Sequence, residues 1–143
     1  MRINDILHTK GAGVITVTPQ ASIRDLVSLL AEHNVGALVV SQDGKAVEGI
    51  VSERDVVRRL QSDPGVLDAT VDSIMTSDVA SCDPHDSVDA LMRLMTDRRI
   101  RHVPVVTDGA LQGIVSIGDV VKSRIGELEF ERDQLNNYVA NTQ

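Results

Sequence analysis

Two four-residue segments in matching frames, Ser52-Glu53-Arg54-Asp55 and Ser116-Ile117-Gly118-Asp119, hold the side chains best suited to chemistry in this chain. A serine three residues ahead of an aspartate is first of all a capping box. The hydroxyl accepts from the backbone N–H three residues on, and the carboxylate reaches back to the serine N–H. A capping aspartate keeps spare acceptor capacity, because an ionised carboxylate has two oxygens. A second group, Arg98-Arg99-Ile100-Arg101-His102, precedes an apolar run. It reads as an edge of solvated charge after a helix, although a guanidinium also presents a planar fork of donors that matches phosphate oxygens. Nucleophilic chemistry has little to draw on. Cys82 is the single cysteine, which excludes an intrachain disulfide and a cysteine metal cluster. In its valine-rich surroundings it reads as packing. His8, His33, His85 and His102 show no metal-ligand spacing. No metal and no catalytic cofactor is expected.

The elements that must position these groups repeat along the chain. Val39-Val40-Ser41-Gln42-Asp43-Gly44, followed by Gly49-Ile50-Val51-Ser52, is echoed by Pro104-Val105-Val106-Thr107-Asp108-Gly109, followed by Gly113-Ile114-Val115-Ser116. Pro19 has its echo in Pro84, and Ile3–Leu7 has one in Val71–Met75 as a lead-in. Each copy predicts β-α-β-β-α. A β-branched strand (Val14–Thr18, Val79–Cys82) precedes a helix with Ser22 or Ser87 at its N-cap. Ile23, Leu26, Val27 and Leu30, and Val88, Leu91, Leu94 and Met95, recur at helical spacing. Strands follow over Val35–Val40 and His102–Val106. Asp-Gly turns lead to partner strands over Ala46–Val51 and Leu111–Val115, and second helices begin near Ser52 and Ser116.

Residues 1–62 form the first repeat, 63–126 the second and 127–143 a helical tail, with Gln61–Thr70 as linker around Asp63-Pro64-Gly65. A unit of this size buries too little to be secure alone, so the two copies are expected to pack sheet to sheet about a pseudo-two-fold axis, giving two clefts.

Composition narrows the roles. The 143 residues carry a net charge of −7, which opposes a nucleic-acid surface but allows a local basic pocket. Phe130 and Tyr138 are the only aromatics, so a bound ring would lie between aliphatic side chains. No apolar run reaches membrane-spanning length. The charged start, MRINDILHTKGAG, lacks the apolar core of a signal peptide, so a cytoplasmic protein is expected.

The repeated order T-V-x-P, helix, A-L-V-V or H-V-P-V-V, D-G, G-I-V-S-x-x-D resembles the cystathionine β-synthase (CBS) domain, two of which form a CBS pair or Bateman module. It is similar to stand-alone bacterial CBS pairs with SERD in the first copy and SIGD in the second. The resemblance runs from Met1 to about Gly126. It implies an α/β (α+β) fold, and a sensor that does no chemistry on an adenosine-containing ligand: AMP, ADP or ATP, with NAD(H) or S-adenosylmethionine as alternatives. It implies that Asp55 and Asp119 accept from ribose hydroxyls and that Arg101 and His102 contact phosphate, in the Asp119 cleft. That cleft would combine Ser116, Gly118 and Ile114 with Ala12, Val35, Gly36 and Ala37. The other would combine Asp55, Ser52, Arg54 and Ile50 with Ile100 and residues near Ser77 and Asp78. Val35 and Ile100 would cover the base or serve as core. The tail sets Val121, Ile125, Leu128, Leu135 and Tyr138 or Val139 near one helical face, with Arg132 interrupting it, and its two aromatics suggest docking on a second subunit; the resemblance implies a homodimer. Output would pass through that dimer or an effector protein. A nucleotide hydrolase lacks paired carboxylates here, and a ligand-free scaffold is the remaining reading.

Overall fold

The computed structural model describes residues 1–11 and 13–142. In chain order the first half holds α1 (Ile3–Lys10), β1 (Thr16–Val17), α2 (Ile23–His33), β2 (Ala37–Val40), β3 (Gly49–Ser52) and α3 (Glu53–Ser62). Two 3-10 turns, Val66–Asp68 and Val71–Ser73, lead to α4 (Val88–Arg98), β4 (His102–Thr107), β5 (Ala110–Ser116) and α5 (Ile117–Thr142). The fold is mixed α/β, with two small sheets. One has the order β1-β2-β3, with β1 parallel to β2; the other is the antiparallel pair β4-β5. Among the described residues no helix is long and apolar enough to cross a membrane.

The helices begin where serine caps them. Ser22 Oγ accepts the Asp25 N–H at 3.1 Å and Ser87 Oγ the Ala90 N–H at 3.0 Å. Each helix then buries one stripe, Ile23, Leu26 and Leu30 in α2 and Val88, Leu91 and Met95 in α4. Val27, expected on that stripe, stands 40% exposed at its edge.

The leading strand of the second copy is a correction. Over Val79–Cys82 only a parallel bridge, Cys82 to Val105, forms. Cys82 donates to the Pro104 carbonyl at 3.0 Å, and Val106 donates back to the Cys82 carbonyl at 2.9 Å. Pro104 has no N–H to extend the ladder further. The Asp-Gly turns also differ. Asp108 and Gly109 both take positive φ, 51° and 77°, so Thr107 pairs with Ala110 across a tight two-residue hairpin. In the first copy the Asp43 carboxylate instead accepts from the Lys45 and Ala46 N–H groups, each at 2.9 Å. This wider loop delays β3 to Gly49, where a strand from Ala46 was expected.

The two lead-ins cross over. Ile3 and Ile6 of α1 are buried in the second copy's core with Cys82, Val88, Leu91, Val103 and Val115. Val66 and Val71, after α3, are buried in the first copy's core with Val17, Ile23, Leu26, Val40 and Val51. Backbone bonds fix the exchange. Ile3 N–H reaches the Asp86 carbonyl at 3.0 Å, and Val71 N–H reaches the Ala21 carbonyl at 2.8 Å. Gly49 and Gly113 make room for these straps. A Cβ on Gly49 would lie 2.6 Å from Met75 Sδ, and one on Gly113 would lie 2.6 Å from Leu7 Cδ2. The linker expected at Gln61–Thr70 is thus partly core.

Candidate functional site

Both capping boxes form. Ser52 Oγ accepts the Asp55 N–H at 3.3 Å while Asp55 Oδ2 takes the Ser52 N–H at 2.8 Å. Ser116 Oγ accepts the Asp119 N–H at 3.1 Å while Asp119 Oδ2 takes the Ser116 N–H at 2.9 Å. The hydrogen bonds that the described residues make to either carboxylate all fall on Oδ2, which leaves Oδ1 as the acceptor face.

Around Asp55 lies a cavity of about 290 Å³ between the two copies. Ile50, Ser52, Arg54 and Asp55 come to it from β3 and α3, and Ala37 from β2. Ile100, Arg101 and His102 come from the approach to β4. Thr76 lines it beside the expected Ser77 and Asp78. Two apolar side chains, Ile50 and Ile100, thus share the cavity with charged ones. Arg54, Arg58, Arg99 and Arg101 all line this cavity, against Glu53 and Asp55. None of the four guanidinium groups makes an ion pair among the described residues.

Arg101 and His102, expected with Asp119, line the Asp55 cavity, and Asp119 also acts on the His102 imidazole. The cause is geometric: β4 begins at the junction between the copies, where the Glu53 N–H bonds the Gly36 carbonyl at 2.9 Å and the Ile117 N–H bonds the Arg101 carbonyl at 2.8 Å. His102 sits at that junction. A Cβ on Gly36 would lie 3.5 Å from its ring. Burial pushes its imidazole pKa down, outweighing the pull of Glu53 and Asp119, so His102 is neutral at neutral pH.

Asp119 is differently placed. Lys10 Nζ donates to Asp119 Oδ2 at 2.8 Å and to the Ile114 carbonyl at 2.8 Å. Burial raises the Asp119 carboxyl, but the Lys10 and Ser116 hydrogen bonds outweigh it and hold the pKa below its ordinary value. Lys10 also lines two further cavities. Ile114 lines one cavity of about 360 Å³ with Gly11, Gly13 and Val14, whereas Asp119 lines another of about 460 Å³ with Lys122 and Phe130. Val35 and Gly118 lie outside these three cavities, Ala37 faces Asp55, and Ala12 lies outside the described residues. Of the described residues expected around Asp119, Ile114 lines a different cavity from Asp119, and Gly36, Ser116, Val35 and Gly118 line none of these three.

Sequence reasoning missed Arg58, Arg99 and Lys10. Arg58 had a legible signal, since it lies one helical turn after Arg54 on the same face. Arg99 had none. It occupies the left-handed C-cap position of α4 at φ 54°, where the first copy has Asn34 at φ 52°. Asparagine tolerates that conformation better than arginine does. Cys82 is inert: burial, with Asp86 and Asp83 nearby, pushes its thiol up to about 12. Among the described residues no group of three or more histidine, cysteine and acidic side chains could hold a metal ion.

The CBS domain family matches residues 3–62 and 71–126. The CBS domain-containing protein CBSX3, mitochondrial, of Arabidopsis thaliana is 38% identical over 146 aligned positions, covering 96% of this chain and 71% of that protein. A crystal structure of a CBS-domain containing protein from Agrobacterium tumefaciens superposes with TM-score 0.82 at 43% identity, covering 87% of this chain and 99% of the other. The CBS domain pair of protein MJ0100, solved in complex with 5′-methylthioadenosine and S-adenosyl-L-methionine, superposes with TM-score 0.78 at 26% identity, covering 89% and 98%.

Proposed function

This chain belongs to the CBS domain family as a tandem pair, and on that premise we propose that it is a regulatory module binding a phosphorylated adenosine ligand, AMP, ADP or ATP, with no catalysis of its own. Residues 1–62 and 63–126 are its two repeats and 127–143 its tail. One observation carries this reading: four arginines that make no ion pair among the described residues line one cavity with Asp55, Ile50 and Ile100, in a chain of net charge −7. In the proposed complex Asp55 Oδ1 accepts from the ribose hydroxyls, Ile50 and Ile100 flank the base, and Arg54, Arg58, Arg99 and Arg101 hold phosphate. In this reading phosphate belongs in the Asp55 cleft, because the four arginines line that cleft. Occupancy is transmitted through differential affinity for two states of the module, to a homodimer partner or to an effector protein, in the cytoplasm.

The MJ0100 complex favours a second reading, S-adenosylmethionine, whose sulfonium would meet the arginines unfavourably. Thermal unfolding with AMP, ADP, ATP, NAD, NADH and S-adenosylmethionine, one at a time, separates the two. At one hundred times its dissociation constant, a ligand of the folded state adds about 2.7 kcal/mol, worth about 5–10 °C in midpoint for a chain of this size. A shift for an adenine nucleotide that disappears in Asp55→Ala supports the reading. A shift for S-adenosylmethionine alone supports the second reading. No shift at millimolar ligand leaves a ligand-free scaffold.

A further inference from the structure

Helix α5 runs without a break for 26 residues, so the expected tail is the continuation of the second copy's last helix. Val120, in its first turn, is buried, and every residue from Leu128 to Asn141 is exposed. Val121, Ile125, Leu128 and Leu135 are each at least half exposed. Together with Arg132 and Val139 they recur at alternating intervals of four and three, the a and d positions of a coiled-coil seam. Lys122 and Arg124 flank the seam near its start, and Glu129 and Glu131 flank it one heptad later. Arg124 pairs with Glu127 in its own helix, whereas Lys122, Glu129 and Glu131 make no ion pair among the described residues.

We infer that α5 pairs with α5 of a second copy in an antiparallel coiled coil whose two-fold axis passes between Gly126 and Glu127. In that register Ile125 meets the partner's Leu128, and Val121 meets the partner's Arg132, whose aliphatic stem covers it while the guanidinium reaches water. Lys122 then faces the partner's Glu129 and Arg124 faces the partner's Glu131, and the two-fold axis doubles both pairs. The occupant is a second copy because this charge pattern complements itself. A parallel pairing sets two Arg132 side chains across one core layer and keeps only the Arg124–Glu129 contact. Sliding the antiparallel register by one heptad sets Glu129 and Glu131 against themselves. The inference rests on the homodimer reading and is independent of the ligand.

Sedimentation equilibrium on the full chain without nucleotide tests it. The account expects a dimer. Joint Lys122→Glu and Arg124→Glu replacement weakens it about tenfold or more through like-charge repulsion, and adding Glu129→Lys and Glu131→Lys to the same chain restores it. Oxidation gives the orientation. Val121→Cys chains mixed with Arg132→Cys chains form a mixed disulfide, and neither variant alone forms one, since two copies of position 121 lie about 16 Å apart along the axis. Cys82 is buried and does not compete. A monomer overturns both the inference and the homodimer reading. A dimer indifferent to the charge reversal, or a disulfide from Val121→Cys alone, overturns the seam and leaves the homodimer reading standing.

Discussion

Replacing Gly49 with alanine tests the crossed lead-ins, on which the relative position of the two copies depends. The new Cβ would stand 2.6 Å from Met75 Sδ and 2.9 Å from the Thr76 carbonyl oxygen. The methionine tip can swing aside, but the carbonyl cannot. It accepts the Ile50 N–H at 2.9 Å, and the Thr76 N–H donates back to the Ile50 carbonyl at 2.9 Å. Relief means lifting the strap from β3, which weakens two hydrogen bonds of about 1 kcal/mol each and adds overpacking of about 1–3 kcal/mol. A loss of about 2–4 kcal/mol follows. Gly113→Ala meets only the Leu7 side chain, with Cδ2 at 2.6 Å, and costs about 1 kcal/mol, the low end of overpacking. Gly126 has nothing within 4 Å in a helix, so Gly126→Ala gains about 0.5–1 kcal/mol. Urea unfolding at one fixed protein concentration ranks the three. A Gly49→Ala loss below that of Gly113→Ala would refute the strap geometry.

Other perturbations bear on the site. Arg99→Gly removes a side chain from a left-handed position, so stability should rise by about 1 kcal/mol while nucleotide affinity falls; a drop in unfolding stability would show that the position is not strained. His102 has a lowered folded-state pKa, so the unfolded chain binds its proton first as pH falls. Its neutral form therefore contributes stability that is full above about pH 6.5 and is lost as pH falls towards the folded value. His102→Gln should flatten that part of a stability–pH curve, and an unchanged slope would contradict the burial. Lys10→Met frees the Asp119 carboxylate. The pair's contribution, under about 1 kcal/mol at such exposure, should be present above the ordinary carboxylate pKa and vanish as pH falls through the lowered folded one. A difference between wild type and variant that persists at low pH would point to packing of the Lys10 stem instead.

Much of the fold was legible because it repeats. The serine caps, the helical stripes and the Asp108-Gly109 turn are local features with local causes, and apart from Val27 at the stripe's edge each appears where the spacing put it. What failed was decided at a distance. The strand over Val79–Cys82 shrinks because Pro104, on its neighbour, has no N–H. The lead-ins look alike, but nothing in Ile3–Leu7 or Val71–Met75 says that each packs into the other copy's core. The same crossing brings Lys10, from the first lead-in, onto Asp119. Asp55 and its cap were readable as a motif, whereas the arginine rim is assembled from α3 and the α4–β4 junction, and only the packing of the two copies joins them.

The most direct test of the central claim is titration calorimetry of ATP and AMP into wild type, Asp55→Ala and Asp119→Ala, at one moderate salt concentration. The account predicts binding to wild type and to Asp119→Ala, with Asp55→Ala weaker by about tenfold or more, as expected for losing hydrogen bonds to a charged acceptor. Binding lost in Asp119→Ala and kept in Asp55→Ala, or no binding to wild type, would contradict it.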